Sequence, residues 1–154
     1  MRELWLYGNL ISMIQNKTFH NLTSLTYLDL GSNRLSSLTP DTFVGLGNLQ
    51  ELYLSWNQLT SFQADIFSEL RNLKWLWLFH NQLQTLPPVA YDILGSIDVR
   101  SDDPIYNDIQ VRIDNNPWQC DCRMAPFRQR MNGSYIFEDQ ITCAGPGNLA
   151  GQLL

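Results

Sequence analysis

The sequence predicts an α/β solenoid, a curved coil with a parallel sheet along its concave side. Two observations predict it: chemistry that recurs every 24 residues, and a break of that period near the C-terminus followed by a cluster of cysteines. Asn9, Asn33, Asn57 and Asn81 share one column. Leu6, Leu30, Leu54 and Leu78 precede them by three residues, and Leu4, Leu28, Leu52 and Leu76 lie two earlier still. Met1, Leu25, Leu49 and Leu73 open the blocks, and Ile11, Leu35, Leu59 and Leu83 follow the asparagines. Three later columns hold Ile14, Leu38, Phe62 and Leu86, then Phe19, Phe43, Phe67 and Tyr91, then Leu22, Leu46, Leu70 and Leu94. A lone helix or strand repeats at 3.6 or 2 residues, so this period marks stacked supersecondary units.

Each element follows from the block. L-x-x-L-x-L sets alternate leucines on one face of a short strand, so they point inward. Strands of successive blocks pair in parallel. Each asparagine stands where the chain leaves the strand, and its amide can bond backbone groups that no ladder reaches. The Phe column packs on the far side. One block cannot bury its own apolar face, whereas stacked blocks form a continuous core.

Composition narrows the class. The 154 residues are 44% hydrophobic and 16% charged, enough for one domain with a real core. Ten Lys and Arg against fifteen Asp and Glu give a charge of -5, the wrong sign for holding phosphates, so nucleic acid is excluded as a partner. No apolar run nears the roughly 18 residues of a membrane span, so no direct insertion into a membrane is expected. The N-terminus lacks the layout of a signal peptide, so a secreted protein would already have lost its leader. HExxH, P-loop, GxSxG and GxGxxG motifs are absent, and the histidines are two, His20 and His80. Ser55, His80 and Asp29 would lie on a flat sheet with nothing to activate the serine. A non-catalytic protein without metal or cofactor is expected.

The C-terminal third breaks the period. Asn116 restores the asparagine position, with Val111 and Ile113 in the leucine columns, 35 residues after Asn81. The extra residues, about 95–107, hold Asp98, Asp102, Asp103 and Pro104 and read as an acidic protruding loop. The chain therefore divides into repeats over 1–94, an insertion over 95–107, and a last strand with a C-terminal region over 108–154. Asn16, Asn21 and Asn132 open glycosylation sequons, the first two on the convex side.

L-x-x-L-x-L-x-x-N-x-L at this period, with the distal Phe, resembles the leucine-rich repeat in its animal extracellular form. Asn116-Pro117-Trp118-Gln119-Cys120-Asp121-Cys122 and Ile141-Thr142-Cys143-Ala144-Gly145-Pro146 resemble the cysteine cap of such proteins. The resemblance implies a horseshoe with a concave parallel sheet and a C-terminal disulfide cap. It implies that Cys120 pairs with Cys143, which leaves Cys122 unpaired: a trimmed chain, a free thiol or an intermolecular bridge. A zinc site has only the distant His20 and His80 to call on. No cysteine-rich cap precedes the first repeat, so that cap has been removed or is abbreviated at Arg2-Glu3-Leu4, and the uncovered edge invites self-association. Disulfide and sequons together favour a secreted or cell-surface ectodomain.

Side chains between the strand leucines face the concave side. Trp5, Tyr7, Tyr27, Tyr53, Trp56, Trp75, Trp77 and Phe79 would line it. Exposed aromatics in such number read as a binding surface, although aromatics also simply suit strands. Glu3, Asp29 and Glu51 form an acidic patch, joined by Asp114. The expected ligand residues are Glu3, Tyr27, Asp29, Glu51, Tyr53, Trp56, Trp75, Trp77 and Asp114, with acids orienting and rings supplying area. Repeat and cap resemble variable lymphocyte receptors of jawless vertebrates and the similar proteins of amphioxus-type invertebrate chordates. That resemblance implies immune recognition of a microbial (bacterial) surface glycan or protein antigen. The alternative is an extracellular adhesion, matrix or guidance module that binds a host protein.

Overall fold

The structure, a computed structural model, describes residues 1–98 and 109–154. Strands β1 (Glu3–Trp5), β2 (Tyr27–Asp29), β3 (Glu51–Tyr53), β4 (Trp75–Trp77) and β5 (Val111–Arg112) form one parallel sheet in chain order. The register is in phase with the repeat: Leu4 pairs with Leu28, Leu28 with Leu52, Leu52 with Leu76, and Leu76 with Val111. The inward leucines from Leu28 to Leu78 are fully buried. Phe19, Phe43, Phe67 and Tyr91 close the core on the opposite side, with Phe43 in a 3-10 turn, Pro40–Phe43. Helix α1 (Ala90–Ile97) takes that place in the fourth block. The first coil is the least covered, with Met1, Leu10 and Met13 at 71%, 70% and 72% exposure.

Buried asparagines tie coil to coil. The Asn57 amide nitrogen donates to Leu54 O and to Leu30 O one coil back, at 3.1 and 3.0 Å, and its oxygen accepts from Leu35 N at 2.9 Å. Asn33, Asn81 and Asn116 repeat the pattern. A second column does similar work before the strands: Asn48 donates to Thr23 O and Asn72 to Gly47 O. The residue before each ladder asparagine is left-handed: Gly8, Ser32, Trp56, His80 and Asn115 have φ between 52° and 71°. The asparagine bonds hold that turn whatever the residue type, at a cost of about 1 kcal/mol for a side chain with a Cβ.

The C-terminal region covers the open end of the coil. Strands β6 (Trp118–Gln119) and β7 (Cys143–Gly145) pair, and the Cys120–Cys143 disulfide joins them with a Cα separation of 5.6 Å. Trp118 is fully buried, and its indole N–H donates to Ile113 O. Phe127 of helix α2 (Ala125–Arg128) and Phe137 of the 3-10 turn Ile136–Gln140 meet the Tyr91 ring edge-on, each at 5.6 Å. The last member of the Phe column is thus the anchor for the cap. Gln140 finishes the sheet: its amide donates to Val111 O and accepts from Ile113 N, standing in for a sixth strand. Cys122 is exposed and unpaired.

The stretch read as an acidic loop has another character where it is described. Gly95–Ile97 belong to α1, and Asp98 is 2% exposed with its carboxylate accepting from Phe137 N. Asp98 is therefore not a surface acid. Asp102, Asp103 and Pro104 lie outside the described residues.

Two substitutions in the turns of adjacent coils should act in opposite directions. Asn57→Ala strands buried backbone groups and should destabilise by about 3 kcal/mol. Ser32→Gly relaxes a left-handed position and should stabilise by about 1 kcal/mol. Urea unfolding of both variants measures the pair.

Candidate functional site

Because the strands pair in phase, outward side chains at 24-residue spacing become neighbours. Two rows cross the sheet. Glu3, Tyr27, Glu51 and Trp75 form one, and Trp5, Asp29, Tyr53, Trp77 and Arg112 the other. Over β1 to β3 acids and rings therefore alternate as on a checkerboard, and β4 carries two rings. Glu3, Asp29 and Glu51 lie on adjacent strands around the Tyr27 phenol, and each is flanked by rings in its own row.

The rings touch in a ribbon. Centroids lie 4.2 Å apart for Trp5 and Tyr27, 5.2 Å for Tyr27 and Tyr53, 4.8 Å for Tyr53 and Trp77, and 5.8 Å for Trp77 and Phe79. Offset and edge-on contacts of this kind hold aromatic faces without burying them. Trp5 and Tyr7 are each 61% exposed, while Tyr27, Tyr53, Trp75 and Trp77 are half-buried.

Each acid has a neutral donor on its own strand. Trp5 Nε1 donates to Glu3 Oε2 at 3.1 Å, and the Tyr53 hydroxyl to Glu51 Oε2 at 2.7 Å. Asp29 accepts from Gly31 N at 2.8 Å and from the Tyr27 hydroxyl at 3.5 Å. Among the described residues the ion pairs are Arg112–Asp114, Arg123–Asp121 and Arg130–Asp92, so Glu3, Asp29 and Glu51 have no basic partner there. Partial burial, then Asp29, Glu51 and Glu3, push the Tyr27 phenol up from 10.0 to about 12. Burial and the hydrogen bond to Glu51 push Tyr53 up as well.

Two expected ligand residues are placed differently. Asp114 is paired: it holds Arg112 through two hydrogen bonds and also accepts from Asn115. Trp56 lies past the strand at the left-handed turn, 53% exposed and stacked on His80 at 3.8 Å. Sequence reading missed the cap's share. A recess of about 790 Å³ opens between Glu51, Tyr53, Trp75 and Trp77 of the sheet and Ile136, Asp139 and Gln140 of the cap. No spacing signals that contact, because these cap residues stand outside the period.

The tyrosines give a measurable pH dependence. Between pH 10 and about 12 the unfolded chain releases the Tyr27 proton while the folded sheet retains it, so stability falls as pH rises through that window. Absorbance titration should show a late-ionising group of phenols that includes Tyr27, and Asp29→Asn should move the Tyr27 member back toward 10.0.

A family model described as leucine rich repeat matches residues 1–59, and a second so described matches residues 72–91. Mouse nyctalopin is 49% identical over 37 residues, which are 24% of this chain and 8% of nyctalopin. The crystal structure of human 5T4, also called Wnt-activated inhibitory factor 1 and trophoblast glycoprotein, matches at 30% identity with a TM-score of 0.68. That match covers 88% of this chain and 46% of 5T4. The chain thus spans less than half the length of these relatives.

The relatives correct the expected immune role. Both are mammalian proteins of the host, one of them named for the Wnt pathway and the trophoblast, so a receptor of variable-lymphocyte type that binds microbial antigen is overturned. Repeat and cap resemble both kinds of protein and do not separate them. Residues 1–59 and 72–91 are thus similar to leucine-rich repeats, and the chain is an extracellular parallel-sheet solenoid of that type with a C-terminal disulfide.

Proposed function

We propose that this chain is an adhesion or signalling module that binds a protein partner on animal cell surfaces through its concave sheet. The observation that carries the reading is the ribbon of touching rings from Trp5 to Phe79, left open to solvent on a rigid sheet. Rigid aromatics give contact area at little entropic cost, and they dominate binding energy where a partner excludes water from them. The second name of 5T4, Wnt-activated inhibitory factor 1, supports a signalling role over a purely structural one. In this reading Tyr27, Tyr53, Trp75 and Trp77 supply area, and Glu3, Asp29 and Glu51 set orientation and encounter rate. Asp114 acts through Arg112, and Trp56 flanks the contact. The sequon asparagines Asn16, Asn21 and Asn132 are all exposed, and none lies in the sheet, so glycans there leave it clear.

Purified protein on beads, presented to animal cells and to bacterial walls, tests the reading. Animal cells should be bound, and Tyr53→Ala with Trp77→Ala should weaken binding at least about tenfold. Preference for bacterial walls, or full binding by the double variant, would overturn it.

A further inference from the structure

The partner's chemistry can be read from the recess between sheet and cap. We infer that it receives a cationic side chain, arginine or lysine, of the protein partner, with the cation over Trp75 and Tyr53 and against Glu51. This rests on the concave-face reading above. Three observations carry it.

The first is the balance of charge on the walls. Glu51, Asp114 and Asp139 bring carboxylates, and among the described residues Arg112 is the one basic side chain on the walls. Arg112 is already committed to Asp114. Glu51 and Asp139 have no basic partner among the described residues.

The second is that the sheet already holds one guanidinium in this way. The Arg112 guanidinium carbon lies 3.8 Å from the Phe79 ring centroid and 5.8 Å from that of Trp77, while Asp114 takes two of its N–H groups. Ring faces and a carboxylate on the same concave surface make that seat. Tyr53, Trp75 and Glu51 repeat the combination nearby, beside a recess of about 790 Å³ with room for another such side chain.

The third is the cost of the alternative. A neutral occupant such as a sugar ring could stack on Trp75 and Trp77. Docking it would take Glu51 and Asp139 out of water with their charge uncompensated. A cation removes that penalty and gains the ring face.

The test uses the intact chain and tryptophan fluorescence, at low salt, with a synthetic arginine nonapeptide, its citrulline counterpart and methyl glycosides as probes. Citrulline keeps the shape and loses the charge. The arginine peptide should bind at least about tenfold more tightly than the citrulline peptide, and salt should weaken it. Glu51→Gln, which keeps an oxygen for the Tyr53 hydroxyl, should weaken it about fivefold. Asp65→Asn changes net charge equally at an exposed site outside the sheet and should leave affinity within about twofold. Equal binding of both peptides, equal effects of the two variants, or a response to glycosides alone overturns the cationic occupant. Binding to animal cells that survives Glu51→Gln yet falls with Tyr53→Ala and Trp77→Ala overturns it too, and leaves the concave-face reading intact.

Discussion

The buried asparagine ladder is the constraint on which the rest of the molecule depends. Three-residue strands make few backbone bonds and would not fix the stacking of coils by themselves. Each buried ladder asparagine bonds its own coil and the coil before it, so it closes a turn and sets a coil spacing at once. Asn116 does this across the irregular connection after α1, donating to Leu78 O and accepting from Leu83 N. The last strand therefore joins the sheet in phase despite the extra residues.

Phase is what turns sequence into surface. With Tyr27 opposite Glu51 and Asp29 opposite Tyr53, no carboxylate has another as its partner in the row. Repulsion between acids is reduced, and each charge can be held by an indole or phenol donor without a cation. The sheet thus accumulates negative charge while remaining a stable, half-apolar surface. The raised Tyr27 phenol is the sign of that field, since three carboxylates act on it beyond burial alone. A slip of two residues would set one row against the other and undo the alternation, and a slip of one would turn the leucines outward.

The fold was legible because its causes recur. Leucine, asparagine and phenylalanine columns each answer a need that every coil has, so four copies make the pattern unmistakable. The direction of Trp75, Trp77 and Tyr53 followed from strand geometry alone. What recurs only once stayed hidden. Gln140 completes the β5 edge, Tyr91 anchors the cap through Phe127 and Phe137, and Asp98 is buried against Phe137 N. Each depends on contacts between segments far apart in sequence, with no second copy to reveal a rule. The pairing of Asp114 with Arg112 was hidden for a different reason: charge on a strand says nothing about which neighbour holds it.

Identity of the ligand lies on the opposite side of this division. Positions that build the coil and positions that face the ligand alternate along every strand, so the inner set can stay constant while the outer set changes without cost to the core. Motifs drawn from the inner set, including the cap, then say leucine-rich repeat and nothing about microbe or host. The left-handed column shows where the two sets meet. Its backbone is fixed by the ladder, yet its side chains point outward, and glycine would serve the fold best at each place. Trp56 and His80 occupy two of these positions and stack on each other at 3.8 Å. A bulky ring kept at a strained turn, on the rim of a surface of rings, is a cost in stability that the coil itself does not require.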